Sequence, residues 1–382
     1  MTHLPVREQS ARPVELKTSK KLHGLDHLRA FAIGFVFLFH YFILSNGQPG
    51  WLPEIAEFGW TGVDLFFVLS GFLISSQLFD TIKQGHEISF SHFFLKRFFR
   101  IIPAYLVTVG LYFCFPFFRE KEALPPLWKF LTFTQNFGLN LKDYGTFSHA
   151  WSLCVEEHFY LVLPATLVLY QSINRFTNSG WLLLALFALG FGARLYSFNI
   201  LYAPHIGHDN SWLYWYKYIY YPTYNRLDGL LVGVFLAGIY TFRPTLWHRV
   251  SKQGNLLLVG GIGLLILAYW LCKDQQTLIA SVFGFPLLSV GYGFVVAGAV
   301  SPSSFMYRWE STLSTSIATL SFAIYLTHKV IIKVTHRLLE GVNWDSNVVL
   351  LVCVITSLLA AFLLNRLVEK PFLRLRHRVV HD

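Results

Sequence analysis

Charge is scarce in this chain. Only 14% of its 382 residues are Asp, Glu, Lys or Arg, whereas a soluble fold of this length uses roughly a quarter to cover its surface. The shortage argues against a soluble domain, and the 54% of hydrophobic and 18% of aromatic residues beside it exclude a disordered chain. Cysteine is sparse too: Cys114, Cys154, Cys272 and Cys353 lie far apart, three of them inside apolar runs. CxxC metal spacing is absent, no disulfide framework is expected, and the thiols read as reduced core residues. No repeat, low-complexity tract or composition break sets off a second, soluble domain. The first 22 residues are polar and basic, and Leu28 to Leu44 is not followed by a small-residue cleavage pattern, so no removed leader is expected.

What the chain does have is a series of apolar runs, each long enough to cross roughly 30 Å of hydrocarbon as a helix. Ten are expected, near 28-45, 60-80, 99-118, 152-171, 181-198, 226-242, 255-272, 278-300, 317-336 and 347-366. The fold class is therefore all-α, a polytopic transmembrane helix bundle of about ten spans with both termini on one side. Runs 226-242 and 317-336 are interrupted, by Arg226 and Asp228 in one and by His328, Lys329 and Lys333 in the other. A cytoplasmic tail over 1-22, a membrane domain over 23-372 and a basic cytoplasmic tail over 373-382 complete the expected organisation.

The basic residues give the orientation. With the N-terminus cytoplasmic, 20 of the 31 Lys and Arg fall in the inward segments 1-29, 81-100, 171-180, 241-254, 301-316 and 366-382. The formal charge of +10 then follows from topology, with anionic lipid as its partner, and no nucleic acid is needed to explain it. Two long outward loops, near 119-151 and 199-225, are rich in aromatic residues, Asn, Gln and Gly. They could form a lid or an acceptor-binding surface.

Ionisable side chains within a span cost a few kcal/mol or more, so those that persist face a cavity or a partner. Arg29 and His40 are eleven residues apart, which at 3.6 residues per turn is an offset of about 20° and a rise of about 16 Å. They form one polar stripe reaching from the cytoplasmic edge past the middle of the first span, and Asp26, three residues before Arg29, is placed to pair with it. A lone intramembrane histidine is more often structural than catalytic; the company His40 keeps shifts that balance. Arg97 and Arg100 lie on one face at the entrance to the third span, a pair of planar forks suited to phosphate, although positive-inside anchoring would also account for them. Glu156, Glu157, His158 and Tyr160 open the fourth span. The helix dipole explains one carboxylate there, not two with a histidine and a tyrosine beside them. Asp64, Arg226 with Asp228, and His328 with Lys329 complete the set. Arg226 and Asp228 could be interfacial anchors, Lys333 is expected to snorkel, and Lys329 is expected to line a cavity.

Several strings carry a resemblance. They are Leu25-Asp26-His27-Leu28-Arg29-Ala30 leading to His40, the run Gly62-Val63-Asp64-Leu65-Phe66-Phe67-Val68-Leu69-Ser70-Gly71-Phe72, Arg97-Phe98-Phe99-Arg100, Trp151-Ser152-Leu153 with Glu156-Glu157-His158-Phe159-Tyr160, Arg226-Leu227-Asp228-Gly229, and Ser321 to His328. Together, in this order, they resemble the acyltransferase-3 family of integral membrane acyltransferases, which includes bacterial enzymes that O-acetylate surface polysaccharides. The likeness extends over nearly the whole chain. The family often has Gly where His27 stands and Trp where Thr327 stands. Some relatives carry an added soluble domain, and none is expected within these residues.

The resemblance implies a catalytic histidine at His40, with Arg29 as its partner in the Arg-x10-His spacing, and an acyl-donor role for Arg97 and Arg100. The chemistry agrees: a hydroxyl must lose its proton to attack a thioester, and His titrates in the range that task needs. The expected function is an acyl-CoA-dependent O-acyltransferase, an O-acetyltransferase before others, acting on a hydroxyl of a cell-surface glycan or lipid-linked sugar precursor. His40 and Glu156 are the expected catalytic residues and Arg29, Arg97 and Arg100 the donor-binding ones. Asp26, Asp64, Glu157, Tyr160, Arg226, Asp228 and His328 are expected on the acceptor side or in support. No metal and no bound cofactor are expected, acetyl-CoA being a co-substrate, and the resemblance implies the bacterial inner membrane. Direct transfer and an acyl-histidine intermediate both remain open, as does a small hydroxylated metabolite as acceptor. A proton-coupled secondary transporter would also use buried His, Lys and Glu, but would predict an internal pseudo-repeat that the sequence does not display. A non-catalytic scaffold would leave the intramembrane charges unexplained.

Overall fold

The computed structural model describes residues 22-45, 47-173 and 180-380. Of the tail expected over 1-22, all but Leu22 lies outside the described residues, as do most of the loop near 171-180 and the last two residues. Helices account for all the regular structure described, and no strand occurs among the described residues.

Each expected run contains a helix. We label them α1 (His23–Leu44), α2 (Gly62–Lys83), α3 (Phe90–Cys114), α4 (Trp151–Ile173), α5 (Gly180–Tyr196), α6 (Asp228–Phe242), α7 (Gly254–Leu271), α8 (Phe285–Ala299), α9 (Thr312–Leu338) and α10 (Ser346–Leu364). Among the described residues nine helical segments are long and apolar enough to cross a membrane, and α6 with the following Pro244–Ser251 helix makes a tenth if that pair, bent by 108°, counts as one span. The bend follows from the sequence. Arg243 precedes Pro244, whose ring disfavours helical backbone in the residue before it, and Arg243 sits at φ −124°, ψ 61°. At 15 residues, α6 is short because Arg226 and Asp228 are held at its start by partners described below.

The bundle is built on pairs: α1 lies along α9, α2 along α6, α7 against α8, and α9 against α10. Lipid offers no hydrophobic incentive for helices to associate, so close backbone approach and buried polar contacts do that work. The α2–α6 seam is the clearest case. A Cβ on Gly71 would lie 2.2 Å from the Leu230 carbonyl oxygen, and one on Gly233 would lie 2.4 Å from that of Val68. Only glycine permits that spacing. Apolar side chains such as Leu184, Leu189, Leu256, Val259, Ile262, Leu351 and Leu359 point outward and are more than half exposed. In water that would be an aggregation surface; against lipid it is the solvated face. The molecule is a multi-pass integral membrane protein. Cys154, Cys272 and Cys353 are buried and Cys114 is exposed, all four as free thiols.

Between α3 and α4 the chain folds back in short turns. This segment brings Glu120, Phe147, Ser148 and His149 against α9, and Phe147 adopts left-handed backbone (φ 54°, ψ 26°) to do so.

Candidate active site

Helical spacing first groups the charged residues in pairs. Asp26 and Arg29 are one turn apart on α1 and lie 3.9 Å from each other, with Asp26 also accepting the Thr315 hydroxyl at 3.2 Å. Arg97 and Arg100 share a face of α3, and Glu156 and Tyr160 share a face of α4. Packing of α1, α2, α3, α4 and α9 then brings these faces together around a cavity of about 210 Å³, lined by Arg29, Ser70, Gln77, Arg97, Arg100, Glu156, Glu157, Tyr160, Ser321 and Tyr325. Glu156 accepts the Tyr160 hydroxyl at 2.6 Å and the Ser70 hydroxyl at 3.1 Å, and those two hydroxyls are themselves in contact. Arg97 donates to Gln77 at 3.2 Å and lies 5.5 Å from the Tyr160 ring. Three guanidiniums therefore face one small cavity against two carboxylates, one of which is already held by hydroxyls. The formal balance leaves one net positive charge, and the guanidinium forks are suited to an anionic group. Glu156, expected beside His40 as a catalytic residue, lies in the same cavity as the arginines.

At the end of this cavity the hydroxyls of Ser152 and Tyr325 pair at 2.6 Å, and Tyr325 also donates to the His149 carbonyl. Beyond that layer stand three imidazoles. Ring centres of His40 and His328 are 4.8 Å apart, those of His149 and His328 5.1 Å, and those of His40 and His149 5.8 Å. The His40 Nδ1 lies 2.9 Å from the Val36 carbonyl. A carbonyl can only accept, so Nδ1 carries the proton and Nε2 is left with a bare lone pair. His328 is fixed in the same tautomer by the carbonyls of Ile324 and Tyr325, at 2.9 and 2.8 Å. Among the described residues no group of three or more His, Cys, Asp or Glu is arranged to hold a metal ion.

Lys329 continues from the imidazoles toward the other face. Expected to line a cavity, it is buried, donating to Ser148 at 3.2 Å and lying 3.7 Å from Glu120. Glu120 also accepts the Tyr112 hydroxyl at 2.8 Å and the Phe147 amide at 3.2 Å. Two outer hollows of about 630 and 790 Å³ adjoin this pair, both lined by Glu120, Lys333 and Arg337. The order along the bundle is thus arginine cavity, hydroxyl pair, imidazoles, Lys329–Glu120 pair and outer hollows.

Asp64, Arg226 and Asp228 belong elsewhere. Arg226 donates to Asp64 at 2.8 Å, and its guanidinium lies 3.9 Å from the Phe285 ring centre, 4.7 Å from Tyr220 and 5.2 Å from Trp151. Arg194 pairs with Asp228 at 2.5 Å and donates to the carbonyls of Asn225 and Val282 at 3.0 and 3.2 Å. These pairs tie α2, α5, α6 and the start of α8 together and line no part of the arginine cavity. They are anchors, as a buried charge must be paired and hydrogen-bonded to persist. His158, beside Glu157 in sequence, turns away to Thr223 at 2.8 Å.

Sequence reasoning missed Glu120, His149 and Arg194. Arg194 carried a usable signal, a lone cation within an apolar run. Glu120 and His149 sit in a segment that reads as an ordinary outward loop, and only its folding back against α9 brings them to the imidazoles.

A family model described as an acyltransferase domain matches residues 22–366. O-acetyltransferase OatA of Staphylococcus aureus strain NCTC 8325 / PS 47 is 30% identical over 336 residues, covering 83% of this chain and 52% of that protein. The OatA of strain COL matches with the same identity and coverage. The chain thus spans about half the length of the curated relatives it matches. No solved structure matches the chain at a significant level.

Proposed function

The chain belongs to the acyltransferase-domain family, and from that premise we propose that it is a membrane O-acetyltransferase moving acetyl from acetyl-CoA to a hydroxyl of a cell-surface glycan or its lipid-linked precursor. The observation that carries this reading is the convergence of Arg29, Arg97 and Arg100 on one cavity that ends one hydroxyl pair short of His40. In this reading the protein sits in the bacterial inner membrane with both termini and the arginine cavity on the cytoplasmic side.

Arg97 and Arg100 take the phosphates of the donor, whose paired oxygens match the guanidinium fork. Arg29, steadied by Asp26, holds the donor farther along the cavity. Glu156, fixed by Ser70 and Tyr160, supplies the polar wall that orients the pantetheine amides. His40 offers its bare Nε2 to the acceptor hydroxyl. As the O–H bond breaks, the proton passes to Nε2 and the oxygen bonds the acetyl carbon. The C–S bond then breaks, and the thiolate of coenzyme A takes up the proton. General-base assistance of this kind contributes about 10²- to 10⁴-fold in rate. The acceptor approaches from the outer hollows, where Lys333 and Arg337 face open space.

Acetyl-CoA binding and consumption by the purified protein in detergent tests the reading. Wild type is expected to bind and consume the donor, and the Arg97→Ala, Arg100→Ala double variant to bind it weakly. A wild-type protein that neither binds nor consumes acetyl-CoA, yet moves a solute in response to a proton gradient, would overturn acetyl transfer in favour of transport.

A further inference from the structure

His149 differs from the two imidazoles beside it. His40 and His328 each commit Nδ1 to a carbonyl one turn back on their own helix. His149 is 2% exposed, and neither of its ring nitrogens makes a hydrogen bond of good geometry, the Tyr325 backbone lying close enough only for a weak contact. Burying an imidazole without well-formed hydrogen bonds is costly, so such a group needs a reason.

The backbone that delivers it is also held at a cost. Phe147, a bulky residue, adopts φ 54°, a conformation that persists only where its surroundings over-determine it. They do: Glu120 accepts the Phe147 amide at 3.2 Å, the Phe147 ring stacks 4.7 Å from Tyr112, and Tyr325 donates to the His149 carbonyl. The outcome is a ring 5.8 Å from His40 and 5.1 Å from His328, centre to centre. With ring nitrogens roughly 1.2 Å from the centre, rotation alone can bring facing nitrogens of His149 and His328 to about 2.7 Å, whereas those of His149 and His40 reach about 3.4 Å and need a further approach of a few tenths of an ångström to hydrogen-bond.

Resting on the acetyl-transfer reading above, we propose that His149 is the positioning and proton-sharing partner of His40. The acceptor proton arrives on His40 Nε2 as the oxygen bonds the acetyl carbon. His149 takes a share of it through one nitrogen, and its other nitrogen donates to the bare Nε2 of His328. When the C–S bond breaks, the thiolate recovers that proton and all three rings are neutral again. The other titratable and charged groups facing the cluster are Tyr325 and Lys329 from α9 and Glu120, which is paired with Lys329. His149 reaches the reacting atoms only through His40.

The test uses the full chain in detergent with acetyl-CoA and a glycan acceptor, comparing wild type, His149→Ala and His149→Gln. For His149→Ala we expect kcat to fall about a hundredfold, an acetyl-CoA KM within about twofold of wild type, and recovery of rate on adding imidazole. His149→Gln fills the space but cannot share a proton, so it should stay slow and show a larger solvent deuterium isotope effect. A Gln variant at the wild-type rate with an unchanged isotope effect overturns the proposal, as does an Ala variant that loses donor affinity in step with rate and ignores imidazole. If His149→Ala does not fold, the rate and isotope effect of His149→Gln decide. Failure of wild type to turn over acetyl-CoA strikes the acetyl-transfer reading itself, whereas an active wild type with an equally active Gln variant strikes only this inference.

Discussion

Replacing Gly71 by alanine should loosen the bundle at the seam that holds its buried charges. The added Cβ would lie 2.2 Å from the Leu230 carbonyl oxygen and 2.9 Å from the Leu230 carbonyl carbon. Close carbon–oxygen contacts settle at about 3.3–3.6 Å, so α2 and α6 must part locally by about 1 Å. The obstacle is backbone, which cannot rotate aside as a side chain can. Overpacking of this kind costs about 1–3 kcal/mol, and the upper end applies here. To the extent that the shift is transmitted along the seam it also lengthens the Asp64–Arg226 contact, now 2.8 Å, and where a buried pair is broken outright the loss is about 3–5 kcal/mol. We expect thermal unfolding of the detergent-solubilised protein, followed by size-exclusion of the surviving monodisperse fraction, to move down by several degrees. Gly34→Ala provides the opposite sign. It lies within α1 with nothing inside 4 Å of its added Cβ, and alanine favours a helix by about 1 kcal/mol over glycine, so its melting should hold or rise. If Gly71→Ala and Gly34→Ala melt alike, the helices are not as close as this packing requires.

The remaining predictions concern the charges. Arg97→Ala or Arg100→Ala should raise the KM for acetyl-CoA about 10- to 100-fold each, since a charge-assisted hydrogen bond contributes about 1.5–3 kcal/mol, while saturating rates change little; unchanged donor affinity would remove both from the donor site. Asp64→Asn leaves the Arg226 guanidinium in its aromatic cage without its directly bonded counter-charge and should lower stability by about 3–5 kcal/mol, with Asp64→Asn, Arg226→Gln recovering part of it; a double variant no better than the single one would contradict the pairing. Glu120→Gln weakens the hold on Lys329 and on the Phe147 turn together, so turnover should fall with acetyl-CoA binding intact, and a variant of normal turnover would show that this carboxylate does not set the imidazoles.

Much of the bundle was legible because crossing a bilayer imposes one rule on every span: a long apolar run with its backbone bonds satisfied internally. Residues 101–118 and 347–365 carry no formal charge and read directly as helices. The run at 226-242 was harder, and the reason is physical: Arg226 and Asp228 are stabilised by Asp64 and Arg194, which lie far away in sequence. Helical periodicity likewise exposed the Arg29–His40 stripe and the Arg97–Arg100 face, because those relations are local. That Glu156 joins the arginines, and that Asp64 serves an ion pair outside the lining of their cavity, depends on which helices neighbour one another, and periodicity says nothing about that. His149 was invisible for a further reason: its place in the imidazole cluster depends on a left-handed turn at a phenylalanine, which no turn signature announces.

The central claim is that His40 is the base for transfer of acetyl from a donor held in the arginine cavity. Its most direct test is the transfer of radiolabelled acetyl from acetyl-CoA by purified wild type and by His40→Ala, with acetyl-CoA binding measured on the same preparations. The account predicts that the variant binds the donor as wild type does and transfers acetyl at least about a hundredfold more slowly. A His40→Ala protein that inserts, binds acetyl-CoA and transfers acetyl at the wild-type rate would contradict it.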